Sequence, residues 1–528
     1  MRRPTVGQAV VALVVTAGLV RIGLVVGHLS SRHLNEDQAS VLLAAQELLR
    51  GQVHQPSFPG QSYGVVFEGL GAAAGSLVGI PPVVGLTATL ALLWYAGWVV
   101  VAAGAWDAGA RATGLLAAAA PLLLAVYPVY YASVFTVGLG RLLGVVAAVL
   151  LWRRRWVPLG VGAGALAVVF DPSSVLLPVV GALLAGRALV GAVRAQWLSV
   201  AFACQPALAW AAWRRWFAVT HPDHVLHAAP SVDPSWSGLT EVVTRGPHYA
   251  GSFSLAVLPG GWPVLVLVAL VFLACLLLGG WQVRAAAVAL AALTALIAAT
   301  PRALDDVSPF LPGSRVFLAV PYAVVLLAAA VEPRLVGQRL RSAVLPVAAA
   351  VVLVSACAGA VRWQSSAGVI LAAAATAPVV PLVPEQEMEQ RCRAARELGT
   401  ELVVFLDDRA AAYGCPVLLD DAPATLLPAY ERRTWRLYEE ADEVRGRVAV
   451  VGNAELCGTA TAVGLVCRPA PGSLPAVVVE PAGMSSLQAL RALGVFVRPF
   501  GPGCVPERPE TCVQALPGGS GRSQGARS

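Results

Sequence analysis

The chain has 528 residues, of which 57% are hydrophobic and only 13% charged, about half the charge fraction of an ordinary soluble protein. Together with a mean hydropathy of +0.71, this excludes a water-soluble enzyme, a disordered chain and a fibrous protein. What remains is an α-helical polytopic membrane protein.

The net charge of +7 calls for no nucleic-acid partner. The 37 basic residues are all Arg, and much of the excess sits where it would orient helices in a bilayer. Apolar runs predict eleven spans, near 7–29, 82–104, 113–131, 134–152, 156–172, 174–191, 196–213, 255–279, 284–300, 316–331 and 342–362. The first follows Arg2 and Arg3. It is too long for a signal-peptide core and no small-x-small site follows it, so it reads as a retained span. With the N-terminus inside, the inner segments hold Arg2, Arg3, Arg111, Arg153, Arg154, Arg155, Arg187, Arg194, Arg284, Arg334, Arg339 and Arg341. The longer outer segments hold fewer: Arg32, Arg50, Arg214, Arg215, Arg245, Arg302, Arg315 and Arg362. An odd number of spans then puts the C-terminal domain outside the cytoplasmic (inner) membrane.

Residues 1–362 form the expected transmembrane domain, with long outer loops at 30–81 and 214–254. All seven His residues fall in or beside these loops. From 363 to 515 charged residues become frequent, and apolar runs shorten to strand length at 402–406, 417–419, 448–451, 477–479 and 495–497. Helix-like stretches lie at 385–398 and 428–444, so a soluble α/β domain is expected. The tail, 516–528, is rich in Gly, Ser and Arg and reads as disordered. Six of the nine Cys are in the 363–515 domain. On an oxidising side they can form up to three disulfides, with Cys457/Cys467 and Cys504/Cys512 the close pairs.

The chemistry-bearing stretch is the first outer loop. Asn35, Glu36 and Asp37 follow the first span almost at once. Asp37 suits a helix N-cap or first turn. Val41, Leu42, Ala45, Leu48 and Leu49 recur at helical spacing and Gly51 supplies a stop, which predicts a short amphipathic helix lying on the membrane surface. A turn-like segment, Pro56 to Gly64, carries Gln61 and Tyr63. The apolar stretch 65–80 carries Glu68 and reads as a surface or re-entrant helix. Each of these residues also has a plainer reading: Asp37 as a cap, Glu36 as a solvated charge, Gln61 and Tyr63 as turn residues.

An acidic pair after the first span, then A-x5-A-x-x-L-L-x-G, then P-x-F-x-G-Q-x-Y and a Glu, resembles the GT-C superfamily of membrane glycosyltransferases. The likeness is to bacterial relatives of protein O-mannosyltransferases and of the lipid A aminoarabinose transferase. Those relatives have Asp-Glu-Ala and Gly-Gln-Pro-Tyr where this chain has Asp37-Gln38-Ala39 and Gly60-Gln61-Ser62-Tyr63. The family's catalytic Asp falls on Asp37, with Glu68 in register and Gln38 in place of the usual acidic partner, a change that bears on the donor or divalent-cation arrangement. Ser314-Arg315-Val316-Phe317-Leu318-Ala319-Val320-Pro321 resembles the family's R-Y-L-L-P-x-x-P segment. The resemblance implies transfer of a sugar from a polyprenyl-phosphate donor to a glycan, lipid or protein acceptor at the outer face, with inversion. A carboxylate must take the acceptor's proton, here Asp37, and positive charge must meet the leaving phosphate. Arg315 is the first choice for that charge. Arg141, an Arg inside an apolar span, is the second. Glu36, Gln61, Tyr63 and Glu68 complete the expected substrate-binding set.

Other candidates are weaker. His221, His224 and His227 are three apart with Pro222 between them, a spacing that does not gather metal ligands on one helix face, so no metal is expected there. Asp171, in Phe-Asp-Pro, reads as a turn cap, and the Asp pairs 407/408 and 420/421 as strand-end turns. Two further function classes stay open: a non-catalytic relative that binds a lipid-linked sugar or scaffolds an envelope complex, and a transporter. A transporter would place ionisable groups at mid-membrane, often in repeated halves, and no repeat is visible.

Overall fold

A computed structural model describes residues 6–29, 33–34, 36–58, 60–61, 64–124, 138–221, 225–227, 235–251, 255–258, 260–299, 314–335, 341–375, 383–406, 409–419, 424–426, 443–452, 455–470, 475–481 and 483–495. The chain divides into two compact units. One comprises Met1–His33, Tyr63–Trp213 and Pro230–Leu382, and the other Leu34–Ser62, Arg214–Ala229 and Val383–Ser528. This division differs from the expected border at 362/363. The last long helix, Arg341–Ala375, continues beyond the end of its apolar window, because Ala and other helix formers follow Gln364. The two outer loops also contribute to the second unit.

The first unit is a bundle of helices. Five are long and apolar enough to cross a membrane among the described residues: Ala9–Gly27, Pro82–Asp107, Gly261–Leu278, Leu318–Leu335 and Ala343–Val361. Their outer faces are oily. Leu13, Leu24, Val266, Leu270, Leu277 and Val354 are exposed, as a lipid-facing surface requires. Other predicted spans fall on helices that are shorter or interrupted. The 174–191 run is helical over Leu176–Ala185, then turns by 98° into Arg187–Ala195. Gly186 makes that turn at φ +65°, a conformation that residues with a Cβ rarely adopt.

Small residues let these helices touch. A methyl group on Gly181 would meet Ala148 backbone atoms at 2.4–2.8 Å, so the Leu176–Ala185 and Leu139–Arg153 helices cross at van der Waals contact of their backbones. Polar side chains pin other crossings. The Tyr95 hydroxyl donates toward Ala118 O at 2.8 Å, and the Tyr322 hydroxyl to Trp94 O at 3.0 Å. Glu332 accepts from the backbone N–H groups of Ala112 and Thr113, capping the Arg111–Ala118 helix from another segment.

The second unit is built on a five-stranded mixed sheet in the spatial order Ala424–Leu426, Leu402–Phe405, Val448–Val451, Ala476–Glu480, Val466–Pro469. The first three strands are parallel. Ala476–Glu480 runs antiparallel to Val448–Val451, with Val450 opposite Val477, and Val466–Pro469 runs antiparallel to Ala476–Glu480. The central strands are buried along their length, which is why their sequences are unbroken apolar runs without alternation. Leu402, Val404, Val448, Val450, Val477 and Val479 form the core with Leu487 and Leu490 of the Ser486–Ala492 helix. That helix starts on a capping box: Ser485 Oγ accepts from Gln488 N–H, and Gln488 Oε1 accepts from Ser485 N–H. The 417–419 run is not a strand. It ends the helix Arg409–Leu418, whose Cys415 is disulfide-bonded to Cys392 in the helix Glu385–Arg396. Cys457 and Cys467 form the expected second bridge. Cys504 and Cys512 lie outside the described residues, as do most of 428–444 and the whole of 516–528.

Candidate functional site

The acidic helix of the first outer loop is Glu36–Leu49. It does not lie on a surface as an amphipathic ribbon. Gln38 through Ala45 are all buried, on every face, and the helix packs on Arg409–Leu418 within the second unit. The expected amphipathic stripe rested on five apolar positions. Ala39, Ser40 and Ala44 are small enough to be enclosed as well, so the helix is a core element. Asp37, in its first turn, is half-buried and already engaged by neighbours. Its position suits a carboxylate, since the unpaired N–H groups and the dipole of a helix N-terminus stabilise negative charge. Glu36 opens the helix, though its side chain lies outside the described residues. The Gly60–Gln61 segment forms a short parallel pairing with Val225–His227, which ties the first outer loop to the second. The Gln61 side chain, Tyr63 and the Arg315 side chain lie outside the described residues. Arg315 has its backbone in the first turn of Ser314–Leu335.

In the first unit, Glu68 and Arg141 are brought together, with a partner the sequence presented as a turn cap. Leu139–Arg153 begins just beside Glu68, whose Oε1 accepts the Leu139 N–H at 2.9 Å. Two residues on, Arg141 is 3% exposed and donates to Asp171 Oδ2 at 2.7 Å and to Ser173 Oγ at 2.9 Å. Asp171 owes its place to a local motif. In Asp171-Pro172-Ser173-Ser174, the carboxylate accepts from the Ser173 N–H at 3.0 Å, and Pro172 occupies the first position of a 3-10 turn. The Ser173 and Ser174 hydroxyls donate to its two oxygens at 2.6 and 2.9 Å. Gly140 makes the approach feasible, because a Cβ there would lie 2.9 Å from the Asp171 Cβ.

Hydrogen-bond capacity separates the roles. Each oxygen of Asp171 accepts two bonds, which saturates the carboxylate. Arg141 donates to both Asp171 and Ser173, so it holds the cluster together. Glu68 is different. Its Oε2 is buried without a hydrogen-bond partner. Burial, with a smaller push from the charge on Asp171, raises its carboxyl from the usual range to about 7, against the lowering effect of its backbone hydrogen bonds. It precedes the short helix Gly69–Ser76, outside the helices long enough to cross a membrane. A carboxyl that titrates near neutrality can both give and take a proton. Aromatic rings flank the cluster: Phe67 and Phe170, the immediate neighbours of Glu68 and Asp171, meet each other and Trp210 in tilted and edge-on contacts, at ring separations of 5.1–5.7 Å.

Neither family models, nor curated proteins, nor solved structures match this chain. The site therefore stands on its own geometry. Among the described residues, no three His, Cys, Asp or Glu side chains converge where a metal ion could sit. Of the expected residues, the first unit unites Glu68 with Arg141, and the second unit holds Asp37. Two features escaped the sequence reading. The Asp-Pro-Ser-Ser capping motif was legible as a turn, but nothing local says that its carboxylate also receives an Arg from 30 residues earlier. Arg21, inside the first apolar helix and bonded toward Gly359 O at 3.5 Å, carries the same signal that singled out Arg141.

Proposed function

We propose that this protein is an integral membrane glycosyltransferase of GT-C type. It moves a sugar from a polyprenyl-phosphate donor to an envelope acceptor at the outer face of the cytoplasmic membrane. The observation that carries the reading is the Asn35-Glu36-Asp37 segment directly after the first span, followed by the Gly-Gln-x-Tyr loop and Glu68. In the proposed reaction the acceptor hydroxyl oxygen attacks the anomeric carbon and Asp37 takes the hydroxyl proton. The bond from that carbon to the phosphate oxygen breaks with inversion, and polyprenyl phosphate departs with its electron pair, met by Arg315. Arg141 acts as a positioning residue through Asp171.

The orientation has independent support. Segments 34–62, 214–229 and 383 onward belong to one compact unit, so on this reading they share one side of the bilayer and crossings between them come in even numbers. Six predicted spans separate the first two segments and four the last two, which meets that condition, and eleven spans in all leave the N-terminus on the other side. The Cys392–Cys415 and Cys457–Cys467 bridges favour an oxidising compartment for this unit.

The test is sugar transfer from a polyprenyl-phosphate donor in proteoliposomes. Wild type is expected to be active and Asp37→Asn to lose activity by two to four orders of magnitude, the usual worth of a general base. Full activity in Asp37→Asn overturns the mechanism. A second reading, donor binding without transfer, is favoured by Gln38, which stands where relatives carry an acid and is 1% exposed. Donor binding by wild type with no turnover for any acceptor class would select it.

A further inference from the structure

One end of the helical unit is a basic, Trp-studded rim. The contacts between helix ends show that it is one surface. Asp107, at the end of Pro82–Asp107, pairs with Arg153 at 2.9 Å and Arg155 at 3.0 Å, at the junction of the Leu139–Arg153 and Val157–Phe170 helices. Gly186 lies against Gln282, at the start of Trp281–Ala298, and Gly280 lies against the Arg334 guanidinium, at the end of Ser314–Leu335. The helix Arg187–Ala195 touches the Val157–Phe170 helix at the same end.

This short helix lies across the direction of the helix before it. Nine residues span about 14 Å, less than half of a bilayer core of about 30 Å, and it leaves the preceding helix at 98°. Leu189 and Val193 are half-buried toward the bundle, while Arg187 and Arg194, seven residues apart and so on one face, are exposed. Arg154 and Arg284 are exposed on the same rim. The acidic residues described here are already used: Asp107 by the two Arg side chains, and Glu332 by the backbone of Ala112 and Thr113. Trp156, Trp197 and Trp281 stand at this rim 76%, 62% and 57% exposed, each next to or at the first residue of its helix. Trp side chains so placed mark the headgroup level of a membrane.

We propose that this rim binds anionic phospholipid headgroups, with Arg187–Ala195 lying in the headgroup plane and Arg187 and Arg194 pairing with lipid phosphates. Charge complementarity names the occupant: a cationic rim beside exposed Trp suits a lipid with both a phosphate and a net negative charge. The inference does not depend on the glycosyltransferase reading.

The test uses the purified full-length protein, delipidated and placed in zwitterionic detergent. Phosphatidylglycerol, phosphatidylcholine or inorganic phosphate is added, with lipid retention read by native mass spectrometry and stability by thermal unfolding. Wild type is expected to retain phosphatidylglycerol and to be stabilised by it, and to gain little from phosphatidylcholine or free phosphate. Arg187→Gln with Arg194→Gln is expected to weaken phosphatidylglycerol binding roughly tenfold or more. Arg50→Gln, at an exposed Arg of the other unit, is expected to leave it unchanged. Wild-type retention should also fall steeply with added salt, a readout that holds even if the double variant folds poorly. Equal retention of the two lipids, an unchanged double variant, retention insensitive to salt, or stabilisation by phosphate alone overturns the proposal.

Discussion

Replacing Arg141 by Met tests whether the buried cluster is held by charge. The guanidinium side chain is 4% exposed and its partner Asp171 26% exposed. Breaking a buried ion pair from one side costs about 3–5 kcal/mol, because the abandoned charge loses its compensation. Asp171 keeps the Ser173 N–H and two hydroxyl donors and has some access to solvent, so Arg141→Met should fall at the low end, about 3 kcal/mol. Asp171→Asn should cost as much or more, since the guanidinium it leaves is the more deeply buried partner. The double variant should cost clearly less than the sum of the two, because neutral side chains of similar shape replace a buried pair at little loss. The assay is a double-mutant cycle on reversible unfolding in mixed micelles at fixed lipid composition. Additive single costs, or a loss below about 0.5 kcal/mol for Arg141→Met, would refute the reasoning.

The remaining predictions concern the pH response, packing and the disulfides. Glu68 holds its proton up to about pH 7 in the folded protein but ionises near its usual value when unfolded, so the folded state binds more protons between those limits. Its contribution is therefore fully present at low pH and is lost as pH rises through about 7, by roughly 3 kcal/mol, and Glu68→Gln should flatten the stability–pH profile over that window. Gly181→Ala forces the Ala148 backbone away and should destabilise the bundle by about 1–3 kcal/mol in the same unfolding assay, whereas Gly191→Ala, which meets nothing within 4 Å, should not. Opening the Cys392–Cys415 bridge, which closes a 23-residue separation, should cost the second unit roughly 3 kcal/mol, read as faster proteolysis of the Cys392→Ser with Cys415→Ser variant. Full thiol labelling of Cys392 and Cys415 in the native, unreduced protein would contradict the bridge itself.

Composition decided that this chain has the character of a membrane protein, and its apolar runs located the five described helices that are long enough to cross. With 13% charge there is no other way to solvate so much apolar surface, and the periodicity of such runs is local information. The strand runs at 402–406, 448–451 and 477–479 were legible for the same reason, as was the Cys457–Cys467 pair, whose members are close in the chain. The 417–419 run misled because a short apolar stretch reads alike at the end of a helix and in a strand. The acidic loop was legible as a motif, but its setting was not. A helix with a one-sided apolar pattern is buried from Gln38 through Ala45, and it packs on residues 409–418, which are far along the chain. Likewise Glu68 and Arg141 stood out in the sequence one by one, but their meeting with Asp171 needs Gly140, which lets a helix start against a turn. Which charges meet, and which carboxyl is left protonated near neutrality, depends on distances and burial that only the folded backbone sets.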